Sequence, residues 1–318
     1  MKKHLFKGLI LPLICGTAAA ALSISGGSAA VDWSNYLEDP IFNLRLVRLL
    51  AAFTIGGSLA LAGLVFQAVL RNVLAEPFTL GVSGGASVGA ALAIIWGLQL
   101  ISFWFIPLMA LAGSLLLLGL VLLLTGQKNS EGLLLSGVIA GTTASSILMY
   151  LVSIADRDEL AGLAWWMLGD LQAVELKLLL PGTGILLLGA LFLRYFAREL
   201  NAVTLGEEAA WSMGVNGKIF GRIFIVLASL LAAQTVAMAG LIAFVGLIVP
   251  HLIRRIYGGD HNWNVIPTVL WGGIFLILCD YLSRVLNSMH ELPIGVLTSA
   301  VGGILFIYVL NKQRSIGL

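Results

Sequence analysis

Charge is what this sequence has least of. Asp, Glu, Lys and Arg make up 11% of its 318 residues, against about 25% in an ordinary soluble domain. Hydrophobic residues reach 59% and the mean hydropathy is +1.00. That balance excludes a soluble fold and points to an all-α polytopic membrane protein. The short alternating segments of a transmembrane barrel do not occur. Histidine is sparse too: His4, His251, His261 and His290 are scattered, and no Cys/His cluster has metal-ligand spacing, so no bound metal is expected. The two cysteines, Cys15 and Cys279, lie in apolar runs and read as buried free thiols. There is no Gly-x4-Gly-Lys-Ser/Thr phosphate loop: Gly214-Val-Asn-Gly217-Lys218-Ile219 lacks both the spacing and the hydroxyl. Nor is there a Ser–His or paired-Asp set at mid-span depth, which excludes an intramembrane hydrolase. The chain is expected to bind no cofactor.

What is present is a series of long apolar runs. They lie near residues 5–30, 46–69, 79–97, 102–124, 132–154, 174–196, 219–238, 240–257, 265–286 and 292–311, giving about ten spans in one transmembrane domain over 1–318. The eighth is short enough to enter the bilayer without crossing it. The stretch from Arg45 to Gly89 organises the rest. Arg45 and Arg48 share one face of a helix start, and Leu49 to Leu70 then runs without a charge. Ala52, Gly56 and Ala60 recur every four residues, which lets a second helix approach closely. The run ends in a polar turn, Arg71 to Pro77, where Pro77 biases Glu76 away from helix. Pro250-His251 and Glu291-Leu-Pro293 read as further breaks.

Charge placement sets the orientation. With the amino terminus inside, 13 of the 18 Lys and Arg residues face the cytoplasm, and Arg45, Arg48, Arg157, Lys177 and Arg284 face out. Both termini are then cytoplasmic. Gly27-Ser28-Ala29-Ala30 resembles a signal-peptidase site, but the apolar run before it is long for a signal core, so an uncleaved first helix is expected. Two loops are unusually polar. The outer one, 155–177, holds Trp165 and Trp166 at headgroup level. The inner one, 198–222, is too polar to span and long enough for one or two surface helices. A cytosolic partner would explain it.

Six ordered blocks carry a resemblance. They are Arg45-Leu-Val-Arg48; Gln67 through Asn72, Glu76-Pro77-Phe78 and Gly81-Val-Ser-Gly84-Gly85; Gly206-Glu207-Glu208-Ala209; Gly246-Leu-Ile-Val-Pro250-His251 with Arg254; Asp280 with Arg284; and Glu291-Leu-Pro293-Ile-Gly295. In this order the chain resembles the permease subunits of binding-protein-dependent ABC importers for iron-siderophores, haem and cobalamin. Val47 and Val73 stand where that family usually has Pro, which bears on local helix ends only. The resemblance implies a ten-helix subunit in a bacterial inner membrane, paired as a homodimer with the path on its axis. It also implies two cytosolic ATPase subunits, which bind the ATP and Mg, and one substrate-binding protein. It implies no nucleic-acid partner.

The resemblance also assigns roles. Arg45, Arg48 and Arg284 would meet acidic residues on the binding protein; the alternative is that Arg284 pairs with Asp280 one turn away while the other two anchor at headgroups. Gly206, Glu207, Glu208, Ala209 and Gly214 would belong to the loop that sits in the ATPase cleft, or else to a plain solvated loop. Ser136, Thr142, Thr143, Ser145 and Ser146 on the fifth span, with Thr298 and Ser299 on the tenth, would line the path, although such hydroxyls equally bond their own backbone. The competing function is a secondary transporter driven by an ion gradient. It needs a mid-membrane ionisable group, and Asp280 is the candidate.

Overall fold

The computed structural model describes residues 10–27, 31–36, 38–125, 130–172, 174–286 and 291–314. Lys2, Lys3, Lys7, Lys128 and most of the signal-peptidase-like stretch lie outside these. Among the described residues thirteen α-helices form one bundle: α1 Leu11–Ser25, α2 Pro40–Val69, α3 Val82–Ile95, α4 Phe105–Thr125, α5 Ser130–Ile154, α6 Arg157–Leu168, α7 Leu176–Tyr195, α8 Ala197–Leu205, α9 Glu207–Ser212, α10 Gly217–Ala239, α11 Val245–Tyr257, α12 His261–Val285 and α13 Ile294–Arg314. Six are long and apolar enough to cross a membrane: α2, α4, α5, α7, α10 and α12.

α2 is the axis of the bundle. Pro40 opens it, its ring fixing φ where an N–H has no partner to lose, and the Asp39 carboxylate caps it by accepting from the Ile41 N–H at 2.7 Å. Its 30 residues span about 45 Å. From Ala51 to Val69 nearly every side chain is buried, against α12, α10, α11 and α7. Small residues make that possible. A Cβ at Gly56 would collide with the Gly272 carbonyl of α12, and one at Gly63 with the Gly246 carbonyl of α11. Backbone therefore touches backbone at both places, as the small-residue spacing on α2 foretells.

Among the helices too short to cross are α3 and α11. α3 has 14 residues and α11 has 13, about 20 Å each. α11 is one half of a broken pair with α10. Gly240 (φ 70°) ends α10, and Phe244, at φ 69°, starts α11 after a short irregular stretch. Proline explains how α11 is held. Pro250 has no N–H to give the Gly246 carbonyl four residues back. Gln67 of α2 supplies the missing donor: its Nε2 donates to Gly246 O at 3.2 Å and to Leu247 O at 3.1 Å. Arg254 in the last turns of α11 donates in turn to the Gln67 side-chain oxygen.

The polar loops of the sequence become short helices. Residues 157–168 form α6, started by a capping box in which Glu159 accepts from the Asp156 N–H at 2.8 Å. α6, the α10–α11 break and the start of α13 meet where Gly169, Gly240 and Gly295 lie close against neighbouring backbone carbonyls. There Ile294 N–H donates to Gly169 O at 3.2 Å and Asp170 N–H to Ala239 O at 3.0 Å.

Candidate functional site

One end of the bundle carries a buried ion-pair cluster. Arg48 of α2 donates through Nε to Asp280 Oδ1 at 2.6 Å and through Nη1 to Glu291 Oε2 at 2.6 Å. Gln172 donates to the same Glu291 oxygen at 2.5 Å. Arg284 Nη2 of α12 lies 3.1 Å from Asp280 Oδ2 and donates to Ser23 O and Ser23 Oγ, while Nη1 donates to Gly26 O at the end of α1. Arg45 donates to Ile24 O at 2.7 Å. Two guanidinium groups thus serve the carbonyl end of α1, where a helix leaves its last acceptors unpaired.

This placement corrects the expectation that Arg45, Arg48 and Arg284 present their charge outward. Each is only 5% exposed. The physical reason is pairing: partners for all three come from other segments of the chain, and a buried guanidinium is tolerated only when its donors are filled. The Arg284–Asp280 contact weighed in the sequence is present, as one edge of a larger knot. The knot walls a cavity of about 460 Å³ lined by Arg48, Trp165, Asp170, Gln172, Glu291 and Pro293. Asp280 is fully buried. With two guanidinium groups on its oxygens it is a structural counter-ion, not the free intramembrane acid that gradient-driven transport requires.

The opposite end carries α8 and α9. Gly206 joins them at φ 112°, and Gly214 turns the chain at φ 76°; L side chains rarely adopt either value. Arg71, from the turn after α2, lies beside Gly206, so this end is the far side of the bundle from Arg48. Glu207 and Glu208 are exposed in the first turn of α9, Ala209 is half-buried, and Gly214 is exposed. Asn216 caps the start of α10 by accepting from the Ile219 N–H at 3.1 Å. Sequence reasoning misses the apolar residues here. Trp211 is 73% exposed, and Leu205 and Met213 are exposed with it. An apolar patch on an otherwise polar surface element is the usual mark of a docking site; a Trp among acidic neighbours in a polar loop is the available signal.

The path hydroxyls fall into two groups. On α5, Thr142, Thr143, Ser145 and Ser146 are exposed, and each donates to a carbonyl of its own helix at 2.8–3.1 Å. Ser136 is half-buried on the same helix. On α13, Thr298 is fully buried and bonds Gly295 O at 3.2 Å, while Ser299 is half-buried. α5 packs on α3 and α4, and α13 on α12, α11 and α6, so the two groups lie on different parts of the subunit.

Among connecting residues, Glu76 stands out. It lies extended before Pro77 in the turn between α2 and α3. Burial pushes its carboxyl up to about 7, offset in part by the hydrogen bond it accepts from the Phe244 N–H.

A multi-pass helical bundle with a broken helix tied to its central helix, and a surface helix pair at one end, has the architecture of the membrane part of a transporter. The FecCD transport family matches residues 8–312, and the chain belongs to that family as an ABC transporter permease. It is 32% identical to the hemin transport system permease of Yersinia pestis, across 96% of this chain and 94% of that one. It is 36% identical to the vitamin B12 import system permease of Yersinia enterocolitica, across 87% and 83%. A solved structure described as an inward-facing conformation of a metal-chelate type ABC transporter superposes with a TM-score of 0.88 at 31% identity, over 96% of this chain and 99% of that one. The chain is an importer permease of this family.

Proposed function

We propose that the chain passes a metal chelate (an iron-siderophore, haem or cobalamin) from a binding protein outside the inner membrane to the cytoplasm, as one half of a homodimer. The observation that carries this reading is the α8–α9 pair: an exposed Trp211 on a short surface helix, at the end of the bundle where Lys and Arg accumulate. That end is cytoplasmic by the positive-inside rule. Gly206, Glu207, Glu208, Ala209 and Gly214 then shape a knuckle that seats in each ATPase subunit. The binding protein docks at the opposite end, on loops that Arg45, Arg48 and Arg284 hold from beneath. The α5 hydroxyls, satisfied by their own backbone, leave a polar but weakly binding wall on a path shared between two copies, bordered also by Ser299; Thr298, fully buried against its own helix, supports that wall from inside. Weak contact suits a large cargo, because a wall that bound tightly would trap it.

The test is ATP hydrolysis in liposomes by the permease assembled with its genomically adjacent ATPase, with and without the adjacent binding protein. Stimulation by the binding protein, accompanied by uptake of haem or cyanocobalamin, supports the reading. Uptake that follows a proton or sodium gradient without ATPase would overturn it.

A further inference from the structure

α12 carries a polar cluster at each end. At the Arg48 end, Asp280 and Arg284 join it to α2 and α1. At the α8 end its first turn is bolted to Asn201. Asn201 Nδ2 donates to Asp260 Oδ1 at 2.7 Å, and Asn201 Oδ1 accepts from the His261 backbone N–H at 3.0 Å. His261 Nδ1 lies 2.6 Å from the same oxygen; that oxygen can only accept, so Nδ1 carries the hydrogen. His261 is 2% exposed. Asp260 Oδ1 also takes the Asn262 N–H and side-chain amide, both at 2.9 Å, which fixes the cap of α12. Arg194 at the end of α7 donates to Asn262 Oδ1 at 3.3 Å.

Asn201 stands in the middle of α8, five residues before the Gly206 joint to α9. Thr204, one turn further along α8, bonds a carbonyl of its own helix instead. α12 has 25 residues with Pro267 inside its N-terminal half, about 37 Å of helix, and passes on a displacement that a loop would absorb. We propose that Asn201 is the positioning residue through which displacement of the α8–α9 pair is passed to α12, and along it to the Arg48–Asp280–Glu291 cluster. Energetic coupling over such a distance is carried by packed side chains and hydrogen-bonded networks, and the Asn201–Asp260–His261 joint supplies one directly from α8 to α12. The inference rests on the reading of α8–α9 as the ATPase contact.

The chemistry of the joint gives a sign-specific test in the assembled permease, ATPase and binding protein. Asn201→Asp sets two carboxylates 2.7 Å apart across the joint. Asp260→Asn keeps an acceptor for Asn201 and still caps α12. In the double variant the pair is exchanged: the amide stands at position 260 and donates to a carboxylate at position 201. Two readouts apply: binding-protein-stimulated ATP hydrolysis, and the distance between spin labels on Leu286→Cys in the two copies, with Cys15 replaced by Ala. Leu286 is exposed at the far end of α12.

Asn201→Asp is expected to lose roughly tenfold in stimulation, and the ATP-driven change in label distance with it, while still co-purifying with the ATPase. Asp260→Asn should stay near wild type, and the double variant should recover. Asn201→Ala, which cuts the joint without adding charge, should behave as Asn201→Asp does. Stimulation kept in both Asn201 variants overturns the inference. So does a double variant no better than Asn201→Asp, and so does a loss of coupling that merely tracks a fall in Tm and in ATPase binding. Trp211→Ala separates the two readings: if it leaves ATPase binding and stimulation intact, the α8–α9 assignment has failed. If it uncouples while the Asn201 variants do not, the failure belongs to Asn201 alone.

Discussion

Asp280 holds two guanidinium groups in a fully buried place, so its removal leaves both without a counter-charge. Asp280→Ala is expected to destabilise by about 3–5 kcal/mol, the usual cost of stranding one partner of a buried pair. Glu291→Gln should cost about 1 kcal/mol or less, because that side chain is one-third exposed and keeps an acceptor for Gln172. Thermal unfolding in detergent compares the two, and equal losses would overturn this account of the cluster. Glu76 makes a pH prediction. Its folded value is raised from 4.5 to about 7, so the folded state favours the proton. The stability this contributes is fully present below 4.5 and fades as pH rises through about 7. Wild-type Tm should fall across that window, while Glu76→Gln, which mimics the protonated acid, stays flatter. A variant with the wild-type slope would assign the dependence elsewhere. Neither behaviour was legible in the sequence. Arg48 and Asp280 are 232 residues apart, and the sequence offers Asp280 only the partner one turn away, Arg284.

At the scale of helices, the apolar runs coincide with helices, and run length marked the eighth run, which holds α11, as short but gave no such sign for α3. α3 and α11 look like their neighbours in composition. What shortens them is local: Gly81 in the left-handed region before α3, and the Gly240–Phe244 break before α11. The small-residue spacing on α2 was readable, and it correctly demanded a close neighbour. The identity of that neighbour was not. Gln67 likewise has no sequence mark as a partner of Gly246, although Pro250 announces that a carbonyl will lack its donor. Gln67→Leu should cost about 1–3 kcal/mol by leaving that carbonyl bare, measurable as a lower Tm. No change would mean that water fills the gap. On α9, Trp211→Ala should weaken ATPase association in pull-down or stimulation assays and leave Tm unchanged, because the side chain is 73% exposed. A drop in Tm instead would reveal a packing role within the permease.

For the whole molecule, the two polar ends matter most, and their separation was legible from the bias of Lys and Arg alone. The fold class followed from the scarcity of charge, and the family from six short blocks in order. What escaped was the state of the Arg residues: read as outward charges, they are internal ties. Those ties join segments that the ribosome makes far apart in time. Arg284 reaches the carbonyl end of α1 across 261 positions, and Asp280 reaches Arg48 across 232. Until α12 is threaded into the bilayer, α1 lacks the donors that Arg284 brings, and Arg48 lacks the Asp280 carboxylate that neutralises it. Biogenesis therefore cannot be completed helix by helix: the first-made part of the chain waits, imperfectly satisfied, for nearly the last. A nascent chain arrested before α12 should be a substrate for membrane quality-control proteases, and release of the arrest should protect it.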